Sequence, residues 1–221
     1  MNVSLKTSAS NPCRAWPPGY QESIKMTLAG PVRPSYTAPN LAVRKFRNMP
    51  MPLSEVPAIL DVEASGFGRG SYPIEVGFIE PQGHCFCSLI HPLPDWRHWD
   101  DEAESLHGIS RDLLLRHGKP PEWVAAEMNA RLRGMTVYCD GWGHDYPWLA
   151  RLFDGADLQP SFKLEDLRML LTDEESALWH SVNAEVRREQ NICRHRASID
   201  AKVLQLTLLR VRQTIARDQA S

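Results

Sequence analysis

The chain lacks the features that place a protein in a broad class at first sight. No apolar run approaches the roughly 18 residues that span a bilayer, and the N-terminus has no signal-peptide-like apolar stretch. Positive charge is not in excess, because 25 Lys and Arg face 27 Asp and Glu, for a formal net charge of −2. We therefore expect no membrane segment, and charge alone does not indicate a polyanionic partner. A cluster of metal-binding carboxylates would itself make the net charge more negative.

Cysteine is also scarce. The five cysteines are odd in number, and no two of them have C-x-x-C spacing. This usage argues against a disulfide framework or a zinc site and fits a reducing, cytoplasmic setting. A length of 221 residues with 43% apolar side chains suits one globular domain with room for an extension.

Residues 1–50 differ in composition from the rest of the chain. Ser, Pro, Asn and Thr are frequent there, apolar periodicity is absent, and basic residues outnumber acidic ones. This composition is typical of a disordered basic extension, and we expect the folded part to begin near Val56. A passive tail is favoured over weak contact with a nucleic-acid backbone. Met49 and Met51 directly precede the folded part, so the true start site is open.

Apolar patterning predicts strands early in the chain and helices late. The predicted strands are Ala58–Val62, Ile74–Glu80, Cys85–His91 and Met135–Cys139, with a hairpin turn at 81–84. The predicted helices are Glu102–His117 with a break near Gly108, Pro121–Arg133, Tyr146–Phe153, Leu164–Leu171, Asp173–Glu189 and Ser198–Ala216. One strand between helices indicates an α/β fold with a mixed sheet covered by helices.

Two acidic residues stand at the end of the first predicted strand. Asp61 and Glu63 are two positions apart, so their side chains lie on the same side of the sheet. Like charges side by side repel each other unless a cation neutralises them. The motif alone is equally compatible with two solvated carboxylates in a loop.

Three further residues extend the acidic set. Asp145 precedes a predicted helix, and His195 and Asp200 flank the start of the last helix. Five positions correspond to roughly 140° on a helix, so His195 fits the preceding loop and Asp200 the first turn. Gathered carboxylates bind Mg²⁺ or Mn²⁺, and a histidine beside them suits a general base, since an unperturbed imidazole has a pKa of about 6.5. The helix dipole alone would also favour an acidic residue at position 200. His195 taken alone is consistent with an ordinary surface histidine.

Five segments, in order, resemble the DEDDh family of 3′–5′ exonucleases, which includes proofreading exonucleases, oligoribonuclease and RNase T. They are Asp61–Gly66, Pro73–Ile79, Leu106–Ser110, Asp145 with Trp148-Leu149, and His195–Asp200. Each motif alone is weak, whereas the ordered set is specific. The resemblance spans about residues 58–209, and a histidine in place of a tyrosine at position 195 selects the DEDDh branch.

The resemblance implies a ribonuclease H-like fold, a mixed β-sheet flanked by α-helices, over an exonuclease domain at residues 56–217. It also implies two Mg²⁺ or Mn²⁺ ions, with His195 as general base. The implied ligands are Asp61, Glu63, Asp145 and Asp200. The expected reaction releases nucleoside 5′-monophosphates from single-stranded RNA or DNA 3′ ends. Substrate contacts are expected at Ser65, Gly66, Phe67 and His107.

The chain departs from the family pattern at one position. The family often has asparagine four residues before the second-motif aspartate, where this chain has Gly141, preceded by Asp140. We choose Asp145 as the ligand because it stands at a helix start with apolar residues three and four positions on. Asp140 is expected to end a strand, and its participation is left open.

Other functions are weighed against the active nuclease. One is a catalytically silent nucleic-acid-binding module, against which the complete set of five residues argues. Another is an accessory subunit of a repair or RNA-processing complex, attached through the basic extension. Neither the choice between RNA and DNA nor the substrate length can be read from the sequence, and a homodimer is allowed by the resemblance.

Overall fold

A computed structural model of the chain describes residues 56–190 and 195–219. The predicted basic extension over residues 1–50 and the question of the start site lie outside this part of the chain. Among the described helices, none has both the length and the apolar character required to cross a membrane.

Five strands form one mixed sheet in the order β3-β2-β1-β4-β5. They are β1 (Ala58–Ala64), β2 (Pro73–Ile79), β3 (Cys85–Leu89), β4 (Thr136–Cys139) and β5 (Lys163–Asp166). The first three strands pair antiparallel. The predicted hairpin turn, with Gly83 at φ 85°, joins β2 directly to β3. β4 pairs parallel with both β1 and β5. The sheet confirms the predicted α/β class.

Six α-helices flank this sheet in the described residues. They are α1 (Asp101–His107), α2 (Arg111–His117), α3 (Pro121–Leu132), α4 (Trp142–Gly155), α5 (Asp173–Glu189) and α6 (Ala197–Asp218). Gly108, at φ 69°, ends α1 and produces the predicted break before α2. A capping box formed by Thr172 and Glu175 begins α5.

The predicted helix over Leu164–Leu171 is wrong. Its first half belongs to β5, in which Leu164 pairs with Val137 of β4, and its second half is a short 3₁₀ helix at Leu167–Leu170. The free edge of β4 supplies hydrogen-bond partners for this segment, and such tertiary pairing overrides weak helix propensity. The Asp166 side chain then accepts a bond from the Arg168 N–H and begins the 3₁₀ turn.

The two faces of β1 pack against different helices. Leu60 and Val62 lie in a large core cluster that also contains residues of α3 and α4. Ile59 lies in a second cluster with Leu204 and Leu208 of α6. Because side chains alternate along a strand, the odd-numbered positions of β1 face α6. Asp61 and Glu63 therefore point toward the helix that carries Asp200.

Candidate metal centre

The close approach of α6 to the sheet depends on a glycine opposite Asp61. Gly77 of β2 is the cross-strand partner of Asp61. A Cβ atom at Gly77 would lie 2.1 Å from the Ser198 backbone nitrogen, so any larger residue would push the first turn of α6 away. The glycine thus lets the first helical turn rest on the strand beside the two β1 carboxylates.

His195 and Asp200 have the arrangement that their spacing predicts. α6 begins at Ala197, Asp200 lies in its first turn, and His195 lies just before the helix. The Asp200 Oδ2 atom accepts a hydrogen bond of 3.0 Å from the Arg196 backbone N–H and lies 3.5 Å from His195 Nδ1. Asp200 is buried, whereas the His195 side chain is 57% exposed and can reach solvent.

Asp145 enters the site from the opposite side, at the start of α4. The side chain is buried, and its Oδ2 atom has no hydrogen-bond partner among the described residues. A Cβ at Gly141 would lie 3.0 Å from that oxygen. Glycine, at the position where the family often has asparagine, therefore places no side chain against the oxygen. A buried carboxylate oxygen that has no hydrogen-bond partner is suited to bind a cation.

The carboxylates form two groups of potential ligands. Glu63, His195 and Asp200 form one group, and Asp61, Asp140 and Asp145 form the other; within each, ligand atoms lie within 4.8 Å of one another. All five predicted residues are therefore brought together. Asp140, which directly follows β4 as expected, joins them as a further carboxylate.

Crowding and burial change the acidity of this cluster. Burial, and then the charge of Glu63, raise the pKa of Asp61 well above its usual range. Burial raises the pKa of Glu63 to about 8, with repulsion from Glu75 and Asp200 adding to it. Burial likewise raises the pKa of Asp145 to about 7, and the Asp140 charge contributes. Oxygen ligands that repel one another in this way fit hard divalent cations such as Mg²⁺ or Mn²⁺.

The raised pKa values predict how stability responds to pH and metal. A carboxyl whose pKa is higher in the folded state stabilises the fold only while protonated. Without metal, stability should therefore fall as the pH rises from 4.5 toward 8, the interval between the ordinary and folded pKa of Glu63. Mg²⁺ binds the deprotonated form, so its stabilising effect should grow over the same interval, reaching about 2.7 kcal/mol at a hundredfold excess over Kd.

Thermal unfolding in EDTA and in Mg²⁺ across this pH range measures both effects. A melting temperature that rises with pH in EDTA would contradict the crowded cluster. A Mg²⁺-induced shift that does not change with pH would contradict its role in metal binding.

A cavity of about 290 Å³ adjoins the carboxylates. Its lining includes Asp61, Glu63, Asp145 and His195, together with Phe67, Leu106, His107, His144 and Trp148. Phe67 is 62% exposed, and its ring lies 5.1 Å from the His144 ring and 5.8 Å from the Trp148 ring. A flat ligand entering this cavity would meet aromatic faces next to the metal ligands.

The four predicted substrate contacts occupy different environments. Gly66, Phe67 and His107 line the cavity. The Ser65 hydroxyl is instead buried, where it accepts a bond from the Tyr72 N–H and lies 3.1 Å from His98 Nδ1. Ser65 therefore shapes the turn after β1.

His107 lines the cavity as an imidazole held in a defined orientation. Burial lowers the pKa of this imidazole, and its Nδ1 accepts a hydrogen bond from the Ile109 N–H. The proton consequently resides on Nε2.

Sequence reasoning missed Arg187 of α5. Its guanidinium lies 2.8 Å from Asp200 Oδ1 and also donates to the Asn183 side chain. No motif marks this residue, because it reaches the site only through the packing of α5 against α6. Because α5 packs against α6, the carboxylate of Asp200, a candidate metal ligand, has the positively charged Arg187 beside it.

The sheet order and flanking helices define a ribonuclease H-like fold, and solved structures of exonuclease I share it. A product-bound exonuclease I superposes with a TM-score of 0.54 at 13% sequence identity. E. coli exonuclease I with a dA16 oligonucleotide gives 0.56 at 14%, and its zinc-bound complex with single-stranded DNA gives 0.54 at 14%. No family model matches the chain, and no curated protein matches it in sequence. The expected fold is thereby confirmed.

The match is partial on both sides. It covers 73% of this chain in each of these comparisons. It covers 45% of the product-bound exonuclease I chain and 42% of the other two.

Proposed function

We propose that the protein is a metal-dependent 3′–5′ exonuclease that removes nucleoside 5′-monophosphates from single-stranded nucleic acid. The observation that carries this proposal is a cavity lined by Asp61, Glu63, Asp145 and His195, with Asp200 beside Glu63 and His195. The fold shared with exonuclease I, which has been solved with single-stranded DNA, supports it. Residues 56–217 would form the catalytic domain.

The carboxylates would hold two divalent cations. Glu63 and Asp200 would bind one ion, Asp145 would bind the other, and Asp61 would contact both. Two Mg²⁺ or Mn²⁺ ions at such a site activate water and stabilise charge on the attacking and leaving oxygens of a phosphodiester. The unpartnered Oδ2 of Asp145 and the raised pKa values of Asp61 and Glu63 support this ligand set.

His195 would act as the general base. It is exposed at the edge of the site, beside Glu63 and Asp200, where it can accept a proton from water and release it to solvent. The Asp200 Oδ2 atom, 3.5 Å from His195 Nδ1, would favour a protonated Nδ1 and leave Nε2 as the accepting atom.

The adjoining cavity would hold the terminal nucleoside. Phe67, His144 and Trp148 provide aromatic faces for a base, and His107 lines the cavity beside them. Aromatic stacking is tolerant of base identity, because every base has a π-face. An exonuclease that advances by one nucleotide at a time requires such tolerance.

The test uses 5′-labelled single-stranded DNA and RNA of matched sequence, with Mg²⁺, Mn²⁺ or EDTA, and Asp61→Ala as the control. The expected result is a ladder that shortens from the 3′ end and depends on metal and on Asp61. Comparison of the two strands identifies the preferred sugar. Binding of either strand without cleavage would contradict the proposal and favour a silent nucleic-acid-binding module.

The stacking role of Phe67 gives a further prediction. Phe67→Ala should raise KM about tenfold and change kcat little, because stacking of one base contributes about 1–3 kcal/mol. Phe67→Trp should retain binding. Leu115→Ala is the matched control, since Leu115 is also half-exposed and belongs to α2. Equal KM values for the Phe67 and Leu115 variants would remove the stacking role.

A further inference from the structure

A buried ion pair lies behind the catalytic cluster, and the proposed mechanism does not use it. Glu75 of β2 is fully buried. Its Oε2 atom accepts hydrogen bonds from Arg196 Nε at 2.9 Å and from the Ala197 backbone N–H at 3.1 Å. Its Oε1 atom accepts from Arg196 Nη2 and from the Cys87 thiol. The carboxylate is therefore saturated with donors.

Two of these donors belong to the residues that directly follow His195. Arg196 and Ala197 form the junction between His195 and α6. The Arg196 backbone N–H also donates to Asp200, so one residue links Glu75, the base and a candidate ligand. The preceding residues 191–194 lie outside the described part of the chain. In the described part, His195 is thus joined to the sheet through the Glu75 contacts.

The chemistry of this pair is suited to fixing geometry. A buried ion pair contributes little net stability, because desolvation offsets the attraction. A guanidinium bound through two nitrogens has a defined orientation, and a fully satisfied buried network is rigid. Glu75 also faces Glu63 across the strands, so its charge adds repulsion at the site unless Arg196 balances it. The buried pair of Glu75 and Arg196 would contribute to the reaction by holding neighbouring groups in position.

We propose that Glu75 is a positioning residue, which holds His195 at the carboxylate cluster through Arg196 and Ala197. The proposal rests on the nuclease function proposed above. Glu75 itself does not line the cavity, and it acts on the reaction only through the placement of the imidazole.

The first test is a double-mutant cycle between Glu75→Gln and His195→Ala. In the wild-type background, Glu75→Gln should lower kcat about a hundredfold with KM nearly unchanged, as expected for a misplaced catalytic group. In the His195→Ala background, the same substitution should change kcat by less than about threefold, because the group it positions is absent. An equal loss in both backgrounds would overturn the proposal.

Glu189→Gln is the matched control. Glu189 also binds an arginine of α6 through two contacts, Arg210 at 2.9 and 2.6 Å, but in an exposed pair away from the first turn. This variant should retain wild-type kcat.

A second variant distinguishes the loss of positioning from the loss of the fold. Glu75→Met combined with Arg196→Met removes both charges together, so no buried charge is left unpaired and the fold should be retained. In the described part of the chain, only the Ala197 N–H and the Cys87 thiol lose an acceptor. This double variant should melt within a few degrees of the wild type and still lose kcat about a hundredfold. Wild-type kcat in the folded double variant would overturn the positioning role.

A readout independent of cleavage separates this proposal from the nuclease function. The His195 ring resonance, assigned by its loss in His195→Ala, should shift in Glu75→Gln and stay in place in Glu189→Gln. If the wild type does not cleave nucleic acid, the nuclease proposal fails, while the ring signal still reports the positioning. An unchanged His195 signal in Glu75→Gln would overturn the positioning itself.

Discussion

Replacing Asp61 with asparagine is expected to abolish metal-dependent hydrolysis and to raise the melting temperature of the metal-free protein. Asp61 lies in the middle of the cluster, where burial and four neighbouring carboxylates raise its pKa. An amide of the same shape removes this repulsion, so the fold gains stability. The same amide is a poor ligand for the cations, so catalysis is lost. Opposite effects on stability and activity identify a residue retained for function.

The loss of activity should be about a thousandfold or more, because metal stabilisation of the transition state contributes several kcal/mol. The gain in melting temperature should be about 2–4 °C for each kcal/mol of repulsion removed. It should be larger at pH 8 than at pH 5, because the raised pKa of Asp61 means that the repulsion grows as the pH rises. Calorimetry in EDTA and single-turnover cleavage in Mg²⁺ measure the two effects.

Asp112→Asn is the matched control for the Asp61 substitution. Asp112 is exposed on α2 and pairs with Arg116 one turn later. Exposed pairs of this kind contribute about 0–1 kcal/mol, so both activity and melting temperature should stay close to wild type. A melting temperature that falls in Asp61→Asn would show that the carboxylate stabilises the fold without metal, contrary to the crowded cluster described here.

Replacing His195 with alanine is the second substitution with a large expected effect. Loss of a general base lowers kcat by about 10²–10⁴. The imidazole is 57% exposed and the cluster retains its five carboxylates without it, so Mg²⁺ affinity should change by less than about twofold.

Mg²⁺ titration by calorimetry and single-turnover measurement of kcat test the role of His195. His84→Ala serves as the control, because His84 is exposed in the β2–β3 turn and also lies near a carboxylate, that of Glu80. Abolished Mg²⁺ binding in His195→Ala would assign the imidazole to the ligand set with Glu63 and Asp200, in place of the base. A kcat equal to that of the wild type would exclude His195 as the general base.

Much of the fold could be predicted from local patterns. The hairpin between β2 and β3, the break at Gly108 and the long helices follow from turn residues, caps and apolar periodicity, all of which act within a few residues. The segment Lys163–Asp166 could not be predicted in this way. Its strand state depends on β4, from which it is separated by α4.

The sequence by itself determined which side chains are candidates for the chemistry and their order along the chain. Asp61, Glu63, Asp145, His195 and Asp200 were identified by spacing and by resemblance, since period-two strands and first-turn positions are local properties. Tertiary structure alone decided what surrounds them. Packing of α6 on Gly77 sets the distance from Asp200 to β1, and it brings Arg187 and Glu75 to residues that are remote from them in sequence. Burial and charge at a site depend on such distant neighbours, which no local pattern encodes.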